Sequence, residues 1–209
     1  ALEAVAVSKN VQRLEYVAKP AVMICLLLWL YANTGLHGNP IWFGAGLLFS
    51  LVGDVLLILA LDRLFLFGLI AFLFAHFSYI MGFWEEIITP SAWSLILLMF
   101  IATGASRLIW RIVGTMRAKG QGALIVPVVV YGAVISTMLY AAMSTMYSPT
   151  WKMNAALFVS LGAFLFWISD LILAWNQFVS PINNGRISNI MTYHLGQIGL
   201  IAGVISQFR

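Results

Sequence analysis

Two aspartates stand where an ionised carboxylate is costly. Asp54 lies within Phe43 to Ala60, FGAGLLFSLVGDVLLILA, and Asp170 within Leu161 to Ala174, LGAFLFWISDLILA. Both runs open with glycine and aromatics and close with leucines, and in the second the aspartate directly follows Ser169. A carboxylate in hydrocarbon costs several kcal/mol unless it is paired, protonated or facing water, so two of them in like settings point to a site. Two carboxyls, one giving a proton and one ionised, are the equipment of general acid and base chemistry. The alternative use of each is a hydrogen bond between helices, and the residues alone leave both open.

Other polar residues recur at helical spacing around these two. Ser50 and Asp54 are four apart and share a face, with Gly46 and Gly53 allowing a neighbour to come close. Phe72, His76 and Tyr79 follow one another at turn spacing, which points imidazole and phenol the same way. Asn189, Tyr193 and Gln197 form an i, i+4, i+8 stripe with His194 beside it, and Tyr131 follows Pro127 on another helix. A polar stripe on a spanning helix must face protein or a cavity, because lipid offers it no hydrogen-bond partner. A zinc site from His76, His194 and a carboxylate can be written down, since three protein ligands and a water suffice. No spacing such as HExxH supports it, so no metal and no cofactor is assigned. His37 falls in a loop and has no specific role.

The elements that must position these groups are membrane helices. The 209 residues are 62% hydrophobic and only 9% charged, with a mean hydropathy of +0.97; soluble domains carry about 25% charged residues. Apolar runs of about 17 to 22 residues match a hydrocarbon core about 30 Å thick. The spans read Tyr16 to Asn33, Ile41 to Leu61, Leu64 to Trp84, Ser91 to Trp110, Leu124 to Tyr147, Asn154 to Trp175 and Ile187 to Gln207, seven in all. No alternating pattern argues for a barrel. The fold class expected is an all-α, polytopic membrane helix bundle, one domain over residues 1–209 with a polar lead-in at 1–15.

The loops set the orientation. Lys9, Arg13, Lys19, Arg63, Arg107, Arg111, Arg117, Lys119 and Arg186 collect on one side, nine basic residues against Lys152 and Arg209 on the other. The basic side is expected to be cytoplasmic. Asp54 then lies about 10 Å and Asp170 about 7 Å from the cytoplasmic ends of their helices, so a site is expected in that half of the bundle. The net charge of +4 reflects this topology and calls for no nucleic acid. The single cysteine, Cys25, reads as a small buried hydrophobe. Trp29, Trp42, Trp84, Trp93, Trp110 and Trp151, near span ends, read as an interfacial belt. No Lys or Arg lies well inside a span, so neither aspartate has an evident cation to hold it ionised.

Five segments in this order, GLLFSLVGD (46–54), GLIAFLFAHFSYIMGF (68–83), PVVVYGAVISTM (127–138), GAFLFWISDLILAWNQF (162–178) and YHLGQIGLI (193–201), together resemble the YhhN membrane family, which includes the lysoplasmalogenases. The Lys19-Pro20 pair is similar to that family's start, and the resemblance runs from about residue 16. Family members usually have eight spans, so the resemblance implies a leading helix of which residues 1–7 are a remnant. It also implies hydrolysis of the vinyl-ether bond of lysoplasmalogens, giving a fatty aldehyde and a glycerophospho-choline or -ethanolamine. Asp54 and Asp170 would then be the catalytic carboxyls, in either order. Ser50, His76, Tyr79, Tyr131, Ser169, Tyr193, His194 and Gln197 would bind substrate or orient them, and Lys19 would meet the phosphate at the membrane surface. The partners expected are a lysophospholipid with a vinyl-ether chain and the membrane lipids around it; oligomeric state is left open. From other classes, a lipid or small-solute binder or transporter, or a metal-dependent intramembrane lipid hydrolase, would use the same residues differently.

Overall fold

The computed structural model describes residues 12–58 and 62–209. Among them the chain forms eight helices and no strand: α1 (Gln12–Thr34), α2 (Pro40–Ile58), α3 (Asp62–Gly82), a short α4 (Trp84–Ile88), α5 (Ala92–Ala118), α6 (Ile125–Ser144), α7 (Met153–Ala174) and α8 (Gly185–Phe208). Long helices stand at all seven expected positions. Five stretches, Pro40–Leu57, Leu64–Gly82, Ala92–Ala118, Gly122–Tyr147 and Met153–Val179, are long and apolar enough to cross a membrane. The apolar part of α1 is shorter, Lys19–Thr34. Residues 1–11, with the expected remnant of a further helix and Lys9, lie outside the described residues, as do Leu61 and the side chains of Arg13 and Arg63.

Local chemistry explains where the helices begin and end. Pro40 opens α2 at the first helical position, where its missing N–H has no partner to lose. Ser91 caps α5, its Oγ accepting from the Ser94 backbone N at 3.1 Å. Lys119 Nζ donates to the carbonyls of Phe178 (3.0 Å) and Val179 (2.8 Å), at the end of a π-helical turn, Trp175–Val179, that extends α7. Lys152 Nζ does the same for Ser206 O at 3.0 Å near the end of α8. These two lysines therefore close helix C-termini besides marking sides of the membrane.

Four expectations need correction. α1 is already helical at Gln12, four residues before Tyr16, and α5 runs past Trp110 to Ala118. The long stems of Arg111 and Arg117 let their charges reach water from a helix that continues beyond the apolar layer. Trp110 is consequently 75% exposed on an outer face, eight residues before the helix ends. The span expected to reach Trp84 stops at Gly82, where the chain turns into α4 and Phe83 packs edge-on against Phe43 at 4.9 Å. Cys25 is exposed, on the outer side of α1 rather than in the core.

Six helices form a closed circuit of neighbours, α1 against α2, α2 against α3, α3 against α6, α6 against α7, α7 against α8, and α8 back against α1 and α2. α5 lies outside it, packed on α6 and on the π-helical turn, and Trp93, Met99 and Phe100 point away from the protein. The closest pair is α7 with α8. A Cβ at Gly196 would lie 2.8 Å from the Phe166 backbone N and 2.9 Å from the Gly162 carbonyl, so backbone meets backbone there. This contact fixes Phe166, and with it the centre of the circuit.

Candidate active site

Asp170 on α7 is met by side chains from two other helices. Tyr131 on α6 donates its hydroxyl to Asp170 Oδ2. His76 on α3 places Nε2 3.3 Å from the same oxygen and 3.1 Å from the Tyr131 hydroxyl. Because Tyr131 gives its proton to the carboxyl group, its hydroxyl oxygen and Asp170 Oδ2 both stand as acceptors toward His76 Nε2. His76 is fully buried, and among the described residues its Nδ1 has no hydrogen-bond partner. The imidazole packs against Phe166 at 4.8 Å.

Asp170 is also open to a pocket. Its side chain is 12% exposed, and with Tyr131 it lines a cavity of about 60 Å³ between α5, α6 and α7. Ala105, Ile109 and Ile112 line it from α5, and Ile135, Ser136 and Trp167 line it from α6 and α7. Trp167 Nε1 donates to Ser136 Oγ at 3.2 Å, which uses up the indole proton and leaves an apolar face toward the cavity. There is room for a few waters or for the first atoms of an apolar chain. Trp167, Ser136 and Phe166 were not singled out from the sequence. Trp167 precedes Asp170 by three residues, one helical turn, which is the signal that was there to read.

Asp54 has different company. Tyr193 on α8 donates to Asp54 Oδ2 at 2.8 Å and also lies 3.4 Å from Met23 Sδ. Lys19 Nζ stands 3.9 Å from Asp54 Oδ1, with the aspartate 1% and the lysine 12% exposed. The expectation that no cation is at hand for Asp54 is therefore corrected. α1 packs on α2, and the four-carbon lysine stem carries the ammonium inward.

Among the described residues the two carboxyls belong to separate hydrogen-bonded clusters, joined through rings. Phe166 sits 5.2 Å from the Tyr193 ring and 4.8 Å from His76, and Phe72 stands edge-on to Tyr193 at 5.8 Å. A third network runs beside them: Tyr79 OH donates to Gln197 Oε1 at 2.7 Å, and Gln197 Nε2 donates to Ser50 Oγ at 3.0 Å. Ser169 and Asn189 bond each other across α7 and α8, Asn189 Nδ2 donating to Ser169 O at 2.7 Å. The stripe on α8 is thus mostly glue, with Tyr193 the member that meets a carboxyl. His194 lies against Tyr193 at 5.2 Å, and among the described residues no three His, Cys, Asp or Glu side chains are grouped to hold a metal ion.

This arrangement belongs to a chain with clear relatives. The model of the YhhN family matches residues 14–204. Lysoplasmalogenase TMEM86B of Mus musculus is 30% identical over 184 residues, covering 88% of this chain and 72% of that protein. Lysoplasmalogenase TMEM86A of Homo sapiens is 31% identical over 183 residues, 84% of this chain and 72% of its own. A lysoplasmalogenase homolog of Dictyostelium discoideum is 27% identical over 201 residues, with 84% and 65% covered. No solved structure matches this chain. A family model that matches almost the whole bundle, and relatives that align along most of it, place this helical membrane protein in the YhhN family.

Proposed function

We propose that the protein is an integral-membrane lysoplasmalogenase, and that Asp170 is the acid that starts vinyl-ether cleavage. The observation that carries this reading is the position of Asp170 and Tyr131 on the wall of an apolar pocket between α5, α6 and α7. A single alkenyl chain can enter such a pocket from the bilayer with its ether end at the carboxyl group.

The chemistry follows from what a vinyl ether needs. Asp170 gives its proton to the carbon β to the ether oxygen. The double bond supplies the electron pair of the new C–H bond, and the oxygen lone pair closes an oxocarbenium ion. The carboxylate left behind faces this cation, a stabilisation worth more in an apolar pocket than in water. Water then adds to the carbon bearing the oxygen and passes a proton to Asp170, giving a hemiacetal. Collapse of the hemiacetal breaks the bond to the glycerol oxygen, which takes up a proton, and releases the aldehyde. Tyr131 and His76 hold the carboxyl at the pocket wall. Asp54, paired with Lys19, is a positioning residue: it fixes Tyr193, which packs on the Phe166 that backs His76. The excess of basic residues in the loops at that end supports a site in the cytoplasmic half of the membrane.

The test is to incubate purified protein in detergent with a 1-alkenyl lysophosphocholine and trap free aldehyde as a hydrazone. Aldehyde should appear from this substrate, with far slower turnover of two-chain lipids. Binding of the lipid without aldehyde release would overturn the reading and leave a lipid-binding protein in its place.

A further inference from the structure

We propose that Arg111, lying over Trp175, is the residue that receives the phosphate of a lysophospholipid whose chain occupies the Asp170 pocket. The proposal rests on the function inferred above and extends it to the headgroup. Arg111 immediately precedes Ile112 and follows Leu108 by one turn, and both of these line the pocket. Its guanidinium carbon stands 5.3 Å from the centre of the Trp175 ring. Trp175 in turn directly follows Ala174, the last lining residue of α7. The pair therefore borders the pocket at the basic end of the bundle.

The guanidinium is held but not neutralised. Among the described residues no carboxylate pairs with Arg111, and its exposed side chain has no hydrogen-bond acceptor. The cation–π contact with the indole holds the guanidinium without using its N–H groups, and these form the fork that grips two phosphate oxygens.

The spacing fits the ligand. Asp170 and Trp175 are five residues apart along α7 and its extension, a rise of about 7 Å. In a 1-alkenyl lysophospholipid, six single bonds separate the vinyl carbon on the ether oxygen from phosphorus, about 7 Å when extended. A lipid with its ether at Asp170 and its chain toward Trp167 would bring its phosphate level with Arg111. Lys19, by contrast, is already committed to Asp54.

Binding of uncleavable analogues tests this independently of turnover. Wild-type protein in nanodiscs should bind 1-alkyl lysophosphocholine about tenfold or more tightly than 1-alkylglycerol, the gain expected of a charge-assisted pair. Arg111→Gln should erase that preference while leaving affinity for 1-alkylglycerol unchanged, and Arg111→Lys should restore it only in part. An equal preference in wild type and Arg111→Gln, or a loss of affinity for both analogues alike, would overturn the assignment. The same variant should still release aldehyde from 1-alkenylglycerol. Absence of that reaction in the wild type would count against the enzymatic reading and not against the phosphate site.

Discussion

At the scale of single residues, the two aspartates share a rarity but not an environment. Asp170 touches a pocket and is held by a phenol and an imidazole. Asp54 is 1% exposed and is held by a phenol and an ammonium. The sequence marks both, because a carboxyl in an apolar run is conspicuous whatever it does. It does not say which carboxyl each candidate partner meets, since Tyr131 is 39 residues from Asp170 and Lys19 is 35 from Asp54, and only the packing of helices brings each pair together. The difference has a measurable consequence for stability. Asp54→Asn leaves a mostly buried ammonium without its anion, a change expected to cost about 3–5 kcal/mol. Thermal unfolding in detergent should drop clearly for Asp54→Asn, and Lys19→Met in the same chain should recover most of the loss. An unchanged melt for the single variant would mean that the pair contributes nothing to the fold.

At the scale of elements, helices were legible because apolar runs of spanning length admit little else. Their ends were less so. α5 continues beyond Trp110 because arginine stems extend a helix past the hydrocarbon, and hydropathy stops reading where charge begins. Which helices touch was legible only through small residues. Gly46 lies under the Tyr79 ring and Gly53 under the Phe72 ring, as the expected close approach requires. The tighter contact, α7 on α8, rests on Gly162 and Gly196, and it sets the distance between the Phe166 and Tyr193 rings. Gly196→Val would push side-chain carbon into the backbone of α7. Strain of this kind costs about 1–3 kcal/mol or more where backbone must move. The variant should lower the melting temperature and reduce turnover together, whereas Gly114→Val, at a position where a Cβ meets nothing within 4 Å, should do neither.

At the scale of the whole molecule, a closed circuit of six helices holds two polar clusters and a wall of rings, while α5 stands outside and forms the far side of the pocket. The chain's composition makes a membrane bundle legible, and loop charge predicts which way it faces. In a Cys25→Ser background, Arg117→Cys should react with a membrane-impermeant maleimide only from the cytoplasmic side, and Thr150→Cys only from the other. Labelling of both from one side would refute the orientation. The pocket itself was not legible, because it is made by α5, α6 and α7 meeting around Asp170, and no single helix carries its outline.

The central claim is that Asp170 delivers the proton that breaks the vinyl ether. It is tested most directly by comparing wild type with Asp170→Asn in D₂O on a 1-alkenyl lysophosphocholine, with the aldehyde trapped as it forms and weighed by mass spectrometry. The wild-type aldehyde should carry one deuterium on the carbon next to the carbonyl. Asp170→Asn should release aldehyde at least ~10²-fold more slowly, the scale of general acid catalysis, while its melting curve shows folded protein. Aldehyde formed at the wild-type rate by folded Asp170→Asn would contradict the account.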